Sequence, residues 1–214
     1  MLYTFLIATV LIALAELGDK TQLLALVLAC RYDPWKVLVG IFGATLLIHF
    51  LSVVVGAAVG SFIPAGYLSW GAGVLFVGFG IWTLRGDHVD AEEEAAPGRF
   101  GPILTSGIAF FLAELGDKTQ IMTMTIAADP GGALRAFGGF ASGWLPNTAK
   151  APGGPTALVG VWMGSTVGMV LADGIAIVVG AVLGKALPER LITRIAGVLF
   201  ILFGVGMIAE MYLH

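Results

Sequence analysis

Two identical nonapeptides hold most of the acid and base chemistry available in the apolar parts of this chain. Leu14 to Gln22 reads LAELGDKTQ, and Leu112 to Gln120 repeats it, an offset of 98 (112 − 14). Each carries Glu, then Asp at i+3 and Lys at i+4: Glu16, Asp19 and Lys20 in the first, Glu114, Asp117 and Lys118 in the second. On a continuous helix these positions share one face. A charged residue at the bilayer centre costs roughly 3 kcal/mol on insertion scales, and six facing lipid would cost on the order of 20 kcal/mol. They are therefore expected to face the bundle interior, a water cavity or each other.

Four carboxylates and two ammonium groups leave a formal charge of −2, which suits one divalent cation. Glu16, Asp19, Glu114 and Asp117 are the expected metal ligands. Thr21, Gln22, Thr119 and Gln120 are candidates for neutral oxygen ligands, with backbone carbonyls freed near Gly18 and Gly116. Oxygen-only sites favour Mg²⁺, Ca²⁺ or Mn²⁺, and the motifs contain no His or Cys for Zn²⁺ or Cu⁺. A carboxylate stranded in low dielectric takes up a proton, so cation and protons would displace one another. Lys20 and Lys118 either compete with the metal for a carboxylate, and so gate its release, or are fixed partners of Asp173 or of the acid beside them. The competing reading of the whole cluster is an internal ion-pair network joining the two halves. Its excess negative charge and the length of the shared string argue against that.

Two further polar residues are singled out, Asp173 and His49, as carriers of the exchanged proton. They align at an offset of 124 (173 − 49). For His49 the alternative is a buried neutral imidazole bonded to a carbonyl. No G-x-x-x-x-G-K-[ST] loop is present, which excludes coupling to ATP through that motif. An intramembrane hydrolase is disfavoured because each acid pair carries an ammonium that would suppress general-base chemistry.

The elements that must position these residues are membrane helices. Of 214 residues, 58% are hydrophobic and 12% charged, about half the charge of a soluble domain; the mean hydropathy is +0.96. A single cysteine, Cys30, excludes an internal disulfide and a Cys-rich metal site. No basic tract points to nucleic acid. The N-terminal stretch lacks a positive start and is interrupted by Glu16, Asp19 and Lys20, so it is expected to be a retained helix rather than a signal peptide. Six apolar segments are long enough to span lipid at about 20 residues each: 3–29, 37–60, 67–85, 102–128, 157–183 and 193–212.

The third segments repeat as well. Ala72-Gly73-Val74-Leu75-Phe76 recurs as Ala196-Gly197-Val198-Leu199-Phe200, an offset of 124 (196 − 72), and Val54-Val55-Gly56-Ala57 recurs as Val178-Val179-Gly180-Ala181. The expected fold is all-α, with six transmembrane helices in two inverted three-helix repeats: 1–88, a linker 89–101, and 102–214 with an outer loop 129–156. Three helices per repeat force the second copy to enter from the opposite side, a transporter plan with its site at the midplane. Gly56-x-x-x-Gly60 and Gly160-x-x-x-Gly164-x-x-x-Gly168 provide close helix contact. Arg31, Lys36, Arg85, Arg99, Lys185, Arg190 and Arg194 stand on one side, against Arg135 and Lys150 on the other. That predicts both termini outside. The acidic run of Asp90, Glu92, Glu93 and Glu94 reads as a solvated linker or as a gatherer of cations, and Phe137, Phe140 and Trp144 as a cap on the outer vestibule. Glu210 reads as interfacial.

The paired pattern E-x-G-D-[KR]-[TS], read as Glu16 to Thr21 and Glu114 to Thr119, resembles the GDT-type cation exchangers, which include the MneA-like manganese exporters, within the wider lysine-exporter-like superfamily. The resemblance covers nearly the whole chain. It implies six pseudo-symmetric helices, the acids of both motifs as ion ligands, and Mn²⁺ or Ca²⁺ exchange for protons in a bacterial cytoplasmic membrane. The expected function is proton-coupled Mn²⁺ export, with a Ca²⁺/H⁺ antiporter and a lysine-exporter-like amino-acid carrier as alternatives. No permanently bound cofactor is expected, and no enzyme activity. The expected partners are membrane lipid, a divalent cation and protons, with room for a homo-oligomer.

Overall fold

The computed structural model describes residues 1–85, 101–133, 154–183 and 189–213. The acidic run 90–94, the aromatics Phe137, Phe140 and Trp144, and Lys185 lie outside them, as do the side chains of Lys20 and Glu210.

The described residues form helices: α1 (Leu2–Glu16), α2 (Lys20–Arg31), α3 (Pro34–Phe62), α4 (Ala65–Arg85), α5 (Pro102–Glu114), α6 (Lys118–Ala128), α7 (Pro155–Leu183) and α8 (Glu189–Leu213). No strand occurs among them. Local chemistry sets several boundaries. Asp33 caps α3, its Oδ1 accepting the N–H of Trp35 at 3.0 Å and of Lys36 at 3.2 Å, while Pro34 opens the first turn. Such a cap satisfies donors that have no partner inside the helix. Pro102 opens α5 in the same way. Residues 130–133, read from sequence as loop, form a helical turn that begins after Asp129, whose Oδ1 accepts the Gly132 N–H at 2.8 Å.

Two expected helices are not continuous. The segments 3–29 and 102–128 each break at the motif, into α1 and α2 and into α5 and α6. The axis turns by 78° between Leu2–Glu16 and Thr21–Arg31. Among the described residues, two helices are by themselves long and apolar enough to cross a membrane, Pro34–Phe62 and Pro155–Val178; the bent pair makes a third if counted as one span.

The third segments pack on each other, α4 against α8. Phe76 sits at their centre, fully buried, with its ring 4.8 Å from Phe203 and 6.3 Å from Phe200. Close approach there requires glycine, since a Cβ on Gly73 would lie 2.9 Å from the Gly204 carbonyl. The first and fourth segments pack crosswise in sequence. Helix α1 lies on α7, with Gly160 against Thr4, Gly164 against Phe5 and Gly168 against Thr9. Helices α5 and α6 lie on α3, with Gly40 against Ile103, Gly56 against Met124 and Gly60 against Ala128. In both cases the numbers rise together, so the helices run parallel. Helices α3 and α7 cross antiparallel, with Trp162 Nε1 donating to the Leu46 carbonyl at 2.8 Å and Leu38 beside Gly174. Outward faces are apolar, with Phe42, Leu47, Phe50, Val54 and Leu171 exposed.

Candidate functional site

Each break is a type II β-turn spelled by the motif. Glu16 ends α1, and its carbonyl accepts the Asp19 N–H at 3.0 Å across Leu17 (φ −60°, ψ 119°) and Gly18 (φ 80°). Glu114 ends α5 and accepts the Asp117 N–H at 3.1 Å across Leu115 (φ −70°, ψ 109°) and Gly116 (φ 87°). The second central residue of this turn needs positive φ, which glycine supplies. The chain then re-enters a helix just after the Asp. Glu and Asp therefore flank a turn instead of sharing a helix face at i and i+3, which corrects the expectation from the sequence. The cause is local: Gly interrupts the apolar run and Asp begins the next helix.

The remaining motif residues fasten the turn. Gln22 Oε1 accepts the Gly18 N–H at 2.8 Å, and Gln120 Oε1 accepts the Gly116 N–H at 2.7 Å. Thr21 Oγ1 donates to Glu16 Oε1, and Thr119 Oγ1 donates to Glu114 Oε2 at 2.7 Å. Each Glu carboxylate is thus oriented by a hydroxyl from the helix after its own break. Both Glu side chains are fully buried. The second oxygen of each, Glu16 Oε2 and Glu114 Oε1, has no hydrogen-bond partner among the described residues, an arrangement that buried acids rarely sustain without a function.

The two motifs meet. Glu16 interacts electrostatically with Glu114, Asp173, Asp19 and Lys118. Asp173 on α7 interacts with Glu114 and Asp19, and both of its carboxylate oxygens are buried with no hydrogen-bond partner among the described residues. Lys118 of the second motif forms an ion pair with Asp19 of the first. The partner expected from sequence was Asp173 or an acid of its own motif; the pair instead bridges the motifs. Removing one member of a buried pair costs about 3–5 kcal/mol, because the other charge is stranded. Among the described residues, no three His, Cys, Asp or Glu side chains converge closely enough to grip one ion together. The acids are neighbours, Glu16 and Glu114 each held by a threonine and Asp19 by Lys118, and not a closed cage.

His49 stands apart. It is fully buried on α3, and its Nδ1 lies 3.1 Å from Thr123 Oγ1, which itself donates to Ser165 Oγ at 3.2 Å. Its partner is a hydroxyl, not the carbonyl that the alternative expected, and no charged group among the described residues acts on it. Thr123 and Ser165 escaped the sequence reading because neither carries charge and neither belongs to a motif.

A family model described as "Divalent cation/proton antiporter GDT1" matches residues 4–91, 102–158 and 153–214. A protein named "Putative manganese exporter" from Vibrio cholerae is 36% identical over 196 residues, covering 91% of this chain and 85% of its own length. A GDT1-like protein of Synechocystis is 31% identical over 225 residues, covering 96% of each chain. A chloroplastic GDT1-like protein of Oryza sativa is 30% identical over 239 residues, with 96% of this chain and 62% of its own length covered. No solved structure matches the chain.

Proposed function

The chain belongs to the GDT1 family of divalent cation/proton antiporters, and from that premise we propose that it exports Mn²⁺ across the bacterial cytoplasmic membrane in exchange for protons. The cation binds between the two motif turns. Glu16, Glu114, Asp19 and Asp117 supply charge; Thr21, Thr119, Gln22 and Gln120 hold the turns and lend neutral oxygens. The observation that carries the reading is the pair of type II turns, each leaving a buried Glu oxygen with no partner among the described residues, beside the other motif. Unwound backbone next to such turns is the usual place for ion coordination in discontinuous membrane helices.

The fold we infer is six membrane segments in two inverted repeats, residues 1–88 and 102–214, joined by the linker 89–101. Support comes from contacts that recur between the halves: α1 on α7 as α5 and α6 on α3, and Phe76 against Phe200. Both termini would face outward, following the distribution of Lys and Arg.

Exchange follows from charge balance. An arriving divalent cation competes with Lys118 for Asp19 and draws the neighbouring acids around itself, while its departure leaves bare carboxylates in low dielectric. Protons then take its place. Asp173, in electrostatic contact with Glu114 and Asp19, is the better-supported proton carrier; His49 is second, through its hydroxyl chain. Oxygen donors alone admit Mn²⁺, Ca²⁺ and Mg²⁺, and Mn²⁺ is chosen on the name of the Vibrio cholerae relative.

The test is uptake into inverted vesicles under an imposed proton gradient, with Mn²⁺, Ca²⁺ and Mg²⁺ compared and internal pH followed. Selective Mn²⁺ uptake with proton exit supports the reading. Preferred Ca²⁺ uptake replaces the cargo within the same mechanism. Uptake of none would contradict cation exchange and favour the amino-acid carrier or a purely structural ion-pair network.

A further inference from the structure

The two motifs are identical in sequence but unequally fastened. Gln22 accepts the Gly18 N–H with its oxygen and donates from Nε2 to the Ala172 carbonyl of α7 at 3.1 Å. It thereby ties the first turn to the residue preceding Asp173. Gln120 accepts the Gly116 N–H in the same way, but no donation from its amide occurs among the described residues. The carbonyl equivalent to Ala172 belongs to Ile48, at the 124 offset (172 − 48), directly before His49. That carbonyl accepts Ser52 Oγ at 2.8 Å. Ser52 in turn corresponds to Ala176 (176 − 52 = 124), which has no hydroxyl to compete for the Ala172 carbonyl. Exposure follows the same inequality. Gln22 and both residues of its turn are buried or half-buried, whereas Leu115 is 59% exposed and Gly116 is open.

We propose that Gln22 and Gln120 are positioning residues that act as alternate latches for the two faces of the exchange cycle. This rests on the exchanger reading and on its inverted repeats. In the state described here, the first turn is latched to α7 through Gln22, and the second is unlatched, with Leu115 and Gly116 at the surface of the fold. In the opposite-facing state the roles exchange: Gln120 donates to the Ile48 carbonyl, displacing Ser52, and Gln22 releases Ala172. The Gly-capping oxygen of each Gln is used in both states, so only the amide N–H changes partner.

The test separates these two functions within one side chain. An ionised Glu in place of Gln keeps an oxygen for the Gly N–H and has no proton to donate, so labelling is run at a pH high enough to ionise it. Gln22→Glu and Gln120→Glu add the same charge to identical motifs, and the latch predicts opposite effects. Cys30, which is exposed, is first replaced by Ser; Leu17→Cys and Leu115→Cys are then labelled with a membrane-impermeant maleimide from each side of sealed vesicles. With both Gln present, Leu115→Cys reacts faster. Gln22→Glu raises the Leu17 to Leu115 labelling ratio about fivefold, the factor for losing one hydrogen bond of about 1 kcal/mol. Gln120→Glu lowers it by a similar factor. Shifts in the same direction, or no shift, overturn the proposal. If Gln22→Glu does not fold, the Gln120→Glu arm decides alone, since only a fall in the ratio agrees. Labelling needs no transported ion. Opposite shifts in a protein that moves no divalent cation would keep the latch and remove the exchanger reading.

Discussion

Gly116→Ala isolates the conformation that makes the site. Gly116 sits at φ 87°, and a Cβ built there meets nothing within 4 Å. Crowding therefore contributes nothing, and the whole effect is backbone strain. An L-residue in the left-handed region costs about 1–2 kcal/mol, so the broken segment loses about 5–30-fold against straighter alternatives. A straightened segment would carry Glu114 and Asp117 on one helix face and separate Thr119 from Glu114. Gly116→Asn supplies the control, because Asn tolerates the second central position of a type II turn. Gly78→Ala supplies another, since Gly78 lies in α4 with nothing within 4 Å and φ in the ordinary range. The assay is cation uptake into vesicles together with thermal melting of the purified protein. Uptake should fall most for Gly116→Ala, less for Gly116→Asn and not at all for Gly78→Ala. Wild-type uptake and melting in Gly116→Ala would refute the claim that a positive-φ turn organises the site.

Other expectations follow from the same contacts. Glu16→Gln and Glu114→Gln should each abolish transport while the protein still elutes as a folded species, because amides keep the shape and lose the charge. Lys118→Ala should tighten cation binding and slow release, measured by the exit rate of pre-loaded ion; a failure to fold would instead identify the Asp19 ion pair as structural. Gly60→Leu should prevent assembly, since its Cβ would be driven into the backbone of Ala128, and size-exclusion chromatography reads the loss.

The nine shared residues pointed to the acids that meet in the fold, whereas the matching third segments indicated a repeat and not that α4 and α8 pack on each other. The turn inside each motif was harder to see. Apolar residues on both sides extended the helical reading through Leu17 and Leu115, although Gly followed by Asp, in mid-segment, is the local signal of a break. Gln22 and Gln120 read as ligands because their side-chain chemistry allows it. Their role at the Gly N–H becomes visible only once the turn exposes that donor. Small-residue spacing indicated close approach but could not say that α1 would choose α7 and that α5 would choose α3. Those choices are tertiary, as is the meeting of His49 with Thr123 and Ser165.

The most direct measurement of the central claim is calorimetric titration of the purified protein with Mn²⁺, alone and with Glu16→Gln or Glu114→Gln. One site shared by the two motifs predicts a single Mn²⁺ per chain, with binding lost in both variants. Undiminished binding in either variant would contradict a site built from both turns.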